Sequence, residues 1–452
     1  MQPAAQLLAH QIRDALRHGP NRTQSLMEKL GVSQPTVSRA LKILGEEIVQ
    51  IGAGRSIQYA LRDTSRVDLV APVHRVTAQG TVELLGTLVP VCPEGFVMIQ
   101  TDGKRLHSDG LPWWIYDMRP QGYLGRAYSQ RHGSRLGLPE RLSDWGDTHA
   151  LRALLYQGSD LPGNLLIGSA ARDDFVNAPQ PLPIDSNQRL QAYVALAASA
   201  ARGEVVGSSA AGEQPKFTAY VQPEGAPAVH VLVKFTSTLD SPVSARWRDL
   251  LWAEHLALQV LREGGVDAAP SSIWDHGMQR FLEVHRFDRI GAQGRRGLLS
   301  FAALDAEFVG CGGRWPEIAR ALEREGVIAP QAMDRACLLW AFGSLIGNTD
   351  MHSGNLSCIT EHGRPYQLAP AYDMTPMAFA PTAGGDLPLR SLDLTIGDQV
   401  SARTWHQALP LAQEFVRRLQ DATGLSAGFA PCIAELQRHV ALATERIGRL
   451  AT

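Results

Sequence analysis

The chain has 452 residues, of which 44% are hydrophobic and 19% are charged, and its formal net charge is −2. This length is more than one hydrophobic core serves, so we expect about two to four domains. The nearly balanced charge excludes a global field that would draw the protein to nucleic acids or membranes, so a surface for either must be local.

The first 65 residues show a pattern of three helices and a hairpin. Two short helices with apolar residues at helical spacing precede a third, which begins at Ser33, a favourable N-cap, with Pro35 in its first turn. Residues 47–61 then alternate as two strands around a Gly-Ala-Gly-Arg turn. This order predicts a winged helix-turn-helix over residues 1–65, and the third helix resembles the recognition helices of winged-helix transcriptional regulators.

The outer face of the third helix carries amide, hydroxyl and guanidinium groups, which can reach base edges or phosphates in a major groove. The hairpin tip adds an arginine suited to the DNA backbone or minor groove. The predicted DNA-binding residues are Ser33, Gln34, Thr36, Ser38, Arg39, Lys42 and Arg55. One recognition helix contacts few phosphates, so useful operator binding would require a homodimer. The alternative is a helical interaction module with a solvated polar face.

Residues 66–190 give a weaker signal. Short alternating segments between Gly and Asp-Gly turns are followed by loops with one or two helices. The pattern predicts a small β-rich domain, which ends in a Pro-rich linker over residues 178–185.

Residues 191–287 contain features of a nucleotide site. Residues 207–221 are rich in small side chains, which lets backbone N–H groups approach an anion. The strand that follows places Lys234 at its end, where a nucleotide kinase keeps a phosphate-binding cation. A solvated lysine on an edge strand is the alternative. Glu254, in an amphipathic helix over residues 247–265, either pairs with Lys234 or lies on the surface.

The segment GNTDMHSGNLS, residues 347–357, has the spacing of a phosphoryl-transfer loop. Such chemistry needs a carboxylate to accept the hydroxyl proton, an amide oxygen on a metal, and a second carboxylate between metal and phosphates. Asp350 and Asn355 supply the first two from one loop, and a short strand delivers Asp373 beside them. A preceding strand over residues 280–290 forms a hinge whose backbone suits an adenine edge. These parts, in this order, predict a protein-kinase-like site.

Residues from about 70 to 445 resemble the HipA family of serine/threonine kinases, the toxin halves of bacterial toxin–antitoxin pairs. With the winged helix in front, the chain looks most like the YjjJ type of HipA homologue. The resemblance implies a multidomain α+β fold with a bilobal kinase-like domain, whose N-lobe spans residues 191–287 and whose largely helical C-lobe spans residues 288–452. The stretches that carry it are SSAAGEQPKF, VHVLVKF, HRFDR, CGGRW, LIGNTDMHSGNLS and LAPAYDMTP.

The resemblance also implies roles for single residues. Asp350 would be the catalytic base, Asn355 and Asp373 would hold magnesium, and Lys234 would contact the ATP phosphates. The other implied nucleotide-binding residues are Ala211, Gly212, Glu213, Gln214, Pro215 and Lys216 over the phosphates, His285, Arg286 and Phe287 at the adenine, and His352 and Tyr372. His352, which matches the family's loop histidine, is expected to be structural and not a metal ligand.

Ser209 occupies the family's autophosphorylation position, and Ser208 beside it could compete. Phosphate there would repel bound nucleotide, because it adds a charge of about −1.5 to −2. Three positions depart from the family pattern. His285 replaces a usual Glu, Gly354 replaces a commonly basic residue, and Pro215 removes one N–H donor from the nucleotide loop.

We therefore expect an ATP- and magnesium-dependent serine/threonine protein kinase that autophosphorylates and regulates its own promoter through the fused module. Its substrate would be a cellular protein, and the resemblance implies translation factors such as aminoacyl-tRNA synthetases. Two alternatives stay open. One is a DNA-targeted, metal-dependent nuclease that uses Asp350, His352 and Asp373. The other is a transcriptional regulator whose kinase-like half only senses nucleotide.

Cysteine usage bears on the compartment. The five cysteines are scattered, odd in number and without a CxxC pair, which argues against a disulfide framework or zinc site and favours reducing surroundings. The sequence shows no leader pattern and no apolar run of about 18 residues. We expect a cytoplasmic protein without a membrane partner.

Overall fold

The computed structural model describes residues 2–52, 56–156, 158–202 and 214–450. Six predicted positions lie outside the described residues: Arg55, Ser208, Ser209, Ala211, Gly212 and Glu213. In the described part of the chain, no helix combines the length and hydropathy needed to cross a lipid bilayer.

The N-terminal region has the predicted three helices and a small antiparallel sheet with the order β1-β3-β2. Its elements are α1 (Gln2–Leu16), β1 (Asn21–Arg22), α2 (Thr23–Leu30), α3 (Gln34–Leu44), β2 (Ile48–Ile51) and β3 (Gln58–Leu61). Ser33 stands at the N-cap of α3, but its hydroxyl shares a 2.9 Å hydrogen bond with the Thr36 hydroxyl and does not cap a backbone N–H. The polar face of α3 stays outside the core, which the helices fill with Ile12, Leu26 and Val37.

The β2–β3 hairpin is packed onto the sheet that follows it. Val49 and Ala60 share a buried apolar cluster with Val91 and Val97. The guanidinium of Arg105 also donates to the carbonyl of Gln50 at 3.1 Å. The N-terminal module is therefore held against the middle of the chain through its wing.

The middle region is an antiparallel sheet in the order β7-β6-β5-β4-β8 with three helices. The helices exceed the β-rich expectation, because α4 has glycines at its first and fourth positions, Gly122 and Gly125, which weaken its helical signal. Gly125 is needed there, since a Cβ would lie 2.6 Å from the carbonyl carbon of Pro120. The elements are β4 (Ala71–Val76), β5 (Val82–Pro90), β6 (Phe96–Gln100), β7 (Arg105–Ser108), α4 (Gly122–His132), α5 (Asp147–Tyr156), β8 (Leu165–Ile167) and α6 (Gly168–Asn177).

The next region is an antiparallel sheet in the order β11-β12-β10-β9, flanked by two helices. The elements are α7 (Arg189–Ala201), β9 (Lys216–Val221), β10 (Val229–Phe235), α8 (Pro242–Glu263), β11 (Ser271–His276) and β12 (Gln279–His285). Helix α8 begins five residues before the predicted position, because Ser241 caps it by accepting the Ser244 N–H at 3.1 Å and Pro242 fits its first turn.

The remaining region is mostly helical and holds the largest buried apolar cluster of the described residues. Helix α8 contributes Ala253 and Leu258 to this cluster, so it ties the preceding sheet to the helical region. The elements are β13 (Arg289–Ile290), β14 (Gly294–Arg295), β15 (Leu298–Ser300), α9 (Phe301–Phe308), α10 (Trp315–Arg324), α11 (Pro330–Leu345), β16 (Ser357–Ile359), β17 (Gln367–Leu368), α12 (Ala402–Asp421) and α13 (Ala430–Ile447). We propose domain boundaries near residues 65, 190 and 287, where one set of elements gives way to the next.

Candidate active site

Lys234, at the end of β10, lies between two carboxylates. Its Nζ donates to both carboxylate oxygens of Glu254 on α8 at 2.7 Å, and it also pairs with the carboxylate of Asp373. Lys234 is 5% exposed and Glu254 is fully buried. The hydroxyl of Thr375 donates to Glu254 at 2.8 Å, so the buried carboxylate has a second donor. Of the two alternatives for Glu254, the structure has the pair with Lys234.

Burial and neighbouring charges shift the pKa of each group in this cluster. Burial by itself would lower the pKa of Lys234, but the charges of Asp373 and Glu254 outweigh it and raise the pKa above its ordinary value. Burial by itself would raise the pKa of Asp373, but the charges of Lys234 and Lys216 outweigh it and lower the pKa below its ordinary value. Burial raises the pKa of Glu254, against the attraction of Lys234. Lys216 stands directly opposite Lys234 in the β9–β10 ladder, so two cations lie on adjacent strands.

Asp350 and Asn355 belong to the loop that follows α11. Asp350 is exposed, and its carboxylate has no hydrogen bond or ion pair within the part of the chain that the structure describes. The amide nitrogen of Asn355 donates to the carbonyl of Asp350 at 2.9 Å. Its amide oxygen is then the atom left for a cation, and Asn355 is buried.

Asn348 joins the two loops, and the sequence analysis did not single it out. Its side-chain oxygen accepts the N–H of Asp350 at 3.0 Å, and its side-chain nitrogen donates to the carbonyl of Asp373 at 3.3 Å. Asn348 is 3% exposed. A polar residue directly after Gly347, at the end of an apolar helix, was the available signal. One buried side chain thus fixes the spacing between the Asp350 loop and the Asp373 loop.

Two adjoining cavities meet at these residues. The larger cavity, about 800 Å³, is lined by the four predicted residues Lys234, Asp350, Asn355 and Asp373, and by Gln214, Pro215 and Lys216. The smaller cavity, about 360 Å³, is lined by His285, Arg286, Phe287 and Tyr372. Lys216, Lys234, His352, Asn355 and Asp373 border both. Because Lys216 and Lys234 border both cavities, the pair would suit a ligand that reaches from one cavity into the other and carries an anionic part beside these lysines.

A divalent cation bound to the anionic part of such a ligand would find suitable oxygen ligands in this cavity. In the described residues, no three His, Cys, Asp or Glu side chains gather into a metal-binding group. Mg²⁺ usually takes one or two protein ligands, keeps waters and binds substrate phosphates. The oxygens of Asn355 and Asp373 therefore suffice as protein ligands. Asp373 has φ of 53°, a conformation that an L-residue rarely adopts and that is often found at functional sites.

The hinge offers backbone groups selectively. The N–H groups of His285 and Arg286 already donate to the carbonyls of Pro270 and His230, at 2.8 and 2.9 Å. The N–H of Phe287 has no hydrogen-bond partner among the described residues, so it is the donor left for a ligand edge.

The side chain of Arg286 is committed elsewhere. It pairs with Asp288 at 2.9 Å and with Asp160 at 3.2 Å, so only its backbone and carbon atoms remain for a nucleotide.

Two further predicted residues shape the loop. Tyr372 donates its hydroxyl to the carbonyl of Gly354 at 3.1 Å, and its ring lies 5.6 Å from that of Phe287. His352 accepts the N–H of Gly354 through Nδ1 at 3.0 Å, a structural role. A Cβ on Gly354 would come within 2.9 Å of the His352 ring, so a basic residue at this position would need the ring to shift.

The predicted DNA-binding residues lie apart from the cavities. On and before α3, Ser33, Gln34, Ser38, Arg39 and Lys42 are exposed, and Thr36 is half-buried. None of them lines either cavity.

Three family models match the chain. The HipA-like C-terminal domain matches residues 208–443, the middle domain of the YjjJ-like toxin matches residues 68–176, and the bacterial regulatory protein of the arsR family, a helix-turn-helix model, matches residues 11–47. These matches and the fold identify a multidomain α+β protein with an N-terminal helix-turn-helix, a YjjJ-like middle domain and a HipA-like C-terminal domain.

Known proteins are similar over most of the chain. The toxin YjjJ of Escherichia coli (strain K12) is 36% identical over 443 residues, which are 97% of this chain and 99% of that protein. The Helicobacter pylori proinflammatory kinase CtkA is 12% identical with a TM-score of 0.40, covering 53% of this chain and 94% of that one. A structure of Shewanella oneidensis MR-1 HipA, HipB and operator DNA matches at 16% identity and a TM-score of 0.49, over 83% of this chain and 97% of that one. By its HipA-like domain and its full-length similarity to YjjJ, the chain belongs to the HipA-like family, among its YjjJ-like members.

Proposed function

We propose that this protein is an ATP- and Mg²⁺-dependent serine/threonine protein kinase of the HipA toxin type, with a DNA-binding module fused in front. One observation carries the proposal. Lys234, Asp350, Asn355 and Asp373, which come from three distant segments, line one cavity that adjoins a second, smaller one. The protein substrate is a cellular protein, and translation factors are the class we propose.

Each residue has a role in the proposed reaction. The substrate hydroxyl oxygen attacks the γ-phosphorus of ATP, the bond to the β-phosphate oxygen breaks, ADP leaves, and Asp350 accepts the hydroxyl proton. Lys234 contacts the phosphates and is oriented by Glu254. Asn355 and Asp373 would hold Mg²⁺, which would neutralise part of the negative charge of the phosphates. Phe287 would offer its N–H to the adenine in the smaller cavity.

We also propose that Ser209 is autophosphorylated. Ser209 lies outside the described residues, and Gln214, five residues later in the sequence, lines the larger cavity. Ser209 occupies the autophosphorylation position of the family, and its phosphorylation would silence nucleotide binding by repulsion.

The test is incubation of the full chain with γ-labelled ATP and Mg²⁺, followed by mapping of the labelled residue. We expect label on Ser209, none when EDTA removes the metal, and none at that position in Ser209→Ala. Cleavage of a DNA duplex that persists in Lys234→Ala would support the nuclease instead. ATP binding without any transfer would support a nucleotide sensor.

We further propose that α3 binds DNA, and a paired substitution tests this. Arg39→Ala and Lys42→Ala remove two exposed cations, so the affinity for a duplex from the chain's own promoter should fall. The plot of log K against log salt should lose about one unit of slope for each lost phosphate contact. Arg417→Ala, an exposed arginine on α12, is the matched control and should change neither quantity. An unchanged slope in the double variant would assign α3 to protein contacts.

Removing Asn348 should weaken both loops that it joins. In Asn348→Ala the N–H of Asp350 and the carbonyl of Asp373 lose their partner, so we expect kcat to fall about tenfold and the Mg²⁺ concentration for half-maximal rate to rise. Steady-state rates over a Mg²⁺ series measure both. Asn177→Ala, at the exposed end of α6, should leave them unchanged. A lower kcat with an unchanged Mg²⁺ requirement would mean that Asn348 does not position Asp373.

A further inference from the structure

A third cavity, about 720 Å³, lies between the middle sheet and the strands that open the helical region. Its apolar wall includes Met98 on β6, Leu298 on β15, and Trp113 and Trp114 after β7. A cavity of several hundred Å³ with mostly apolar and aromatic walls is the usual form of a small-molecule site. No part of the proposed phosphoryl transfer uses it.

Most charged groups that border this cavity already have an ion-pair or hydrogen-bond partner. Arg75 pairs with Glu83 at 2.6 Å, and Asp102 pairs with Lys104 at 2.9 Å. Glu361 lies 3.6 Å from Arg296. Asp117 accepts the N–H and the hydroxyl of Ser300, both at 2.6 Å, and burial raises the pKa of Asp117. His362 is exposed.

Arg295 is the exception. It belongs to a cluster in which three guanidinium groups, those of Arg286, Arg289 and Arg295, face only two carboxylates, those of Asp160 and Asp288. Arg295 is 5% exposed and has no ion pair within the described residues. Buried charge is costly unless it is compensated, so this cluster lacks one negative charge.

The contacts of Arg295 leave capacity for an anion. Its Nη2 donates to the carbonyl of Ser159, and its guanidinium lies over the ring of Phe175 at 4.7 Å. Its Nη1, which is buried, has no hydrogen-bond partner in the described parts of the chain. Burial, followed by repulsion from Arg289, lowers the pKa of Arg295 to about 9. A bound anion would relieve both the missing charge and the missing acceptor after a small rotation of the side chain.

We infer that this cavity binds a small organic anion with a flat aromatic body. The anionic group neutralises the surplus positive charge at Arg295, and the aromatic body lies against Trp113 and Trp114. Stacking and apolar burial hold the body, while the charge sets the preference for an anion over a neutral molecule.

Occupancy of this site would be felt at the nucleotide cavity. Asp117, Pro162 and Leu298 border both the third cavity and the smaller nucleotide cavity, so they form a shared wall. A ligand that shifts this wall changes the affinity of the protein for nucleotide, and bound nucleotide changes the affinity for that ligand by the same factor. This coupling rests on the proposed kinase function, whereas binding of the anion does not.

The test compares two dyes that share an aromatic body and differ in charge, 8-anilinonaphthalene-1-sulfonate and neutral N-phenyl-1-naphthylamine, titrated by fluorescence into the full chain. We expect one saturable site with about 10- to 100-fold preference for the sulfonate, the range of a charge-assisted hydrogen bond. Arg295→Met should bring the ratio close to one. Absence of saturable binding of either dye would overturn the inference.

Two surface changes keep the test independent of folding at Arg295. Thr101 is exposed and lines the cavity, so Thr101→Glu should weaken only the sulfonate and Thr101→Lys should strengthen only the sulfonate. Leu232→Ala alters only the smaller nucleotide cavity and should change neither dye. An unchanged ratio in both Thr101 variants, or a loss of both dyes in Leu232→Ala, would place the dyes elsewhere. These readouts need no phosphoryl transfer, so failure of the kinase proposal would leave them interpretable.

Discussion

Replacing Asp350 with asparagine is expected to lower kcat for phosphoryl transfer about 10²- to 10⁴-fold, the range over which a positioned general base contributes. The carboxylate of Asp350 is exposed in the larger cavity and holds no other described residue in place. The variant should therefore fold normally and bind ATP with unchanged affinity. Initial rates of label transfer, together with nucleotide affinity by calorimetry, measure the two quantities separately.

The matched control for Asp350→Asn is Asp386→Asn. Asp386 is an exposed carboxylate in the helical region, and among the described residues its one side-chain hydrogen bond is accepted from the Thr382 hydroxyl at 3.3 Å. The Asp386→Asn variant should keep the kcat of the wild type. A variant at position 350 that kept more than about a tenth of the rate would show that another group takes the proton. Equal ATP consumption in wild type and Asp350→Asn would point to hydrolysis at a different centre.

The parts of the site that the sequence predicted are those set by local spacing. Asp350 and Asn355 lie on one loop, and strand alternation predicts Lys234 near the end of β10, so the position of each follows from its own short segment. That Lys234, the Asp350 loop and Asp373 meet in one cavity was predicted only from the order of the kinase-like parts and from the family resemblance. Glu254 stayed undecided because a helix has several faces, and only packing on the sheet selects the one that meets Lys234.

The parts that the sequence missed depend on contacts between distant segments. Asn348 and Thr375 act through partners more than 20 residues away, and their residue types are common in ordinary loops. The surplus charge at Arg295 arises from residues 160 and 286–295 meeting in space. The helical or strand periodicity of a single segment does not indicate which distant segment it contacts. The same reason hid the packing of the wing on the middle sheet, where Val49 and Val97 look like independent strand residues in sequence.

Substituting Lys234 with methionine is expected to lower the free energy of unfolding by about 3–5 kcal/mol near pH 7, because it leaves the fully buried Glu254 and the carboxylate of Asp373 without their cation. Phosphoryl transfer should be lost as well. Denaturant unfolding and label transfer measure the two effects. Adding Glu254→Gln to Lys234→Met removes one stranded charge, so it should recover most of the stability and none of the activity.

The pH dependence separates a stranded charge from a lost side-chain contact. In Lys234→Met the carboxylates of Glu254 and Asp373 lack the ammonium that favours their charged form, so we expect the folded-state pKa of both to be higher than in the wild type, and that of Glu254 to rise further above its unfolded value. A folded-state pKa above the unfolded value makes folding bind protons, so the variant gains stability as the pH falls. In the wild type, the ammonium of Lys234 limits the rise of the Glu254 pKa, and the lowered pKa of Asp373 removes stability only as the pH falls below about 4. The difference in free energy of unfolding between wild type and Lys234→Met should therefore become smaller from pH 7.5 to pH 5. A difference that stays constant with pH would mean that the loss of stability comes from the packing of the lysine side chain and not from its charge.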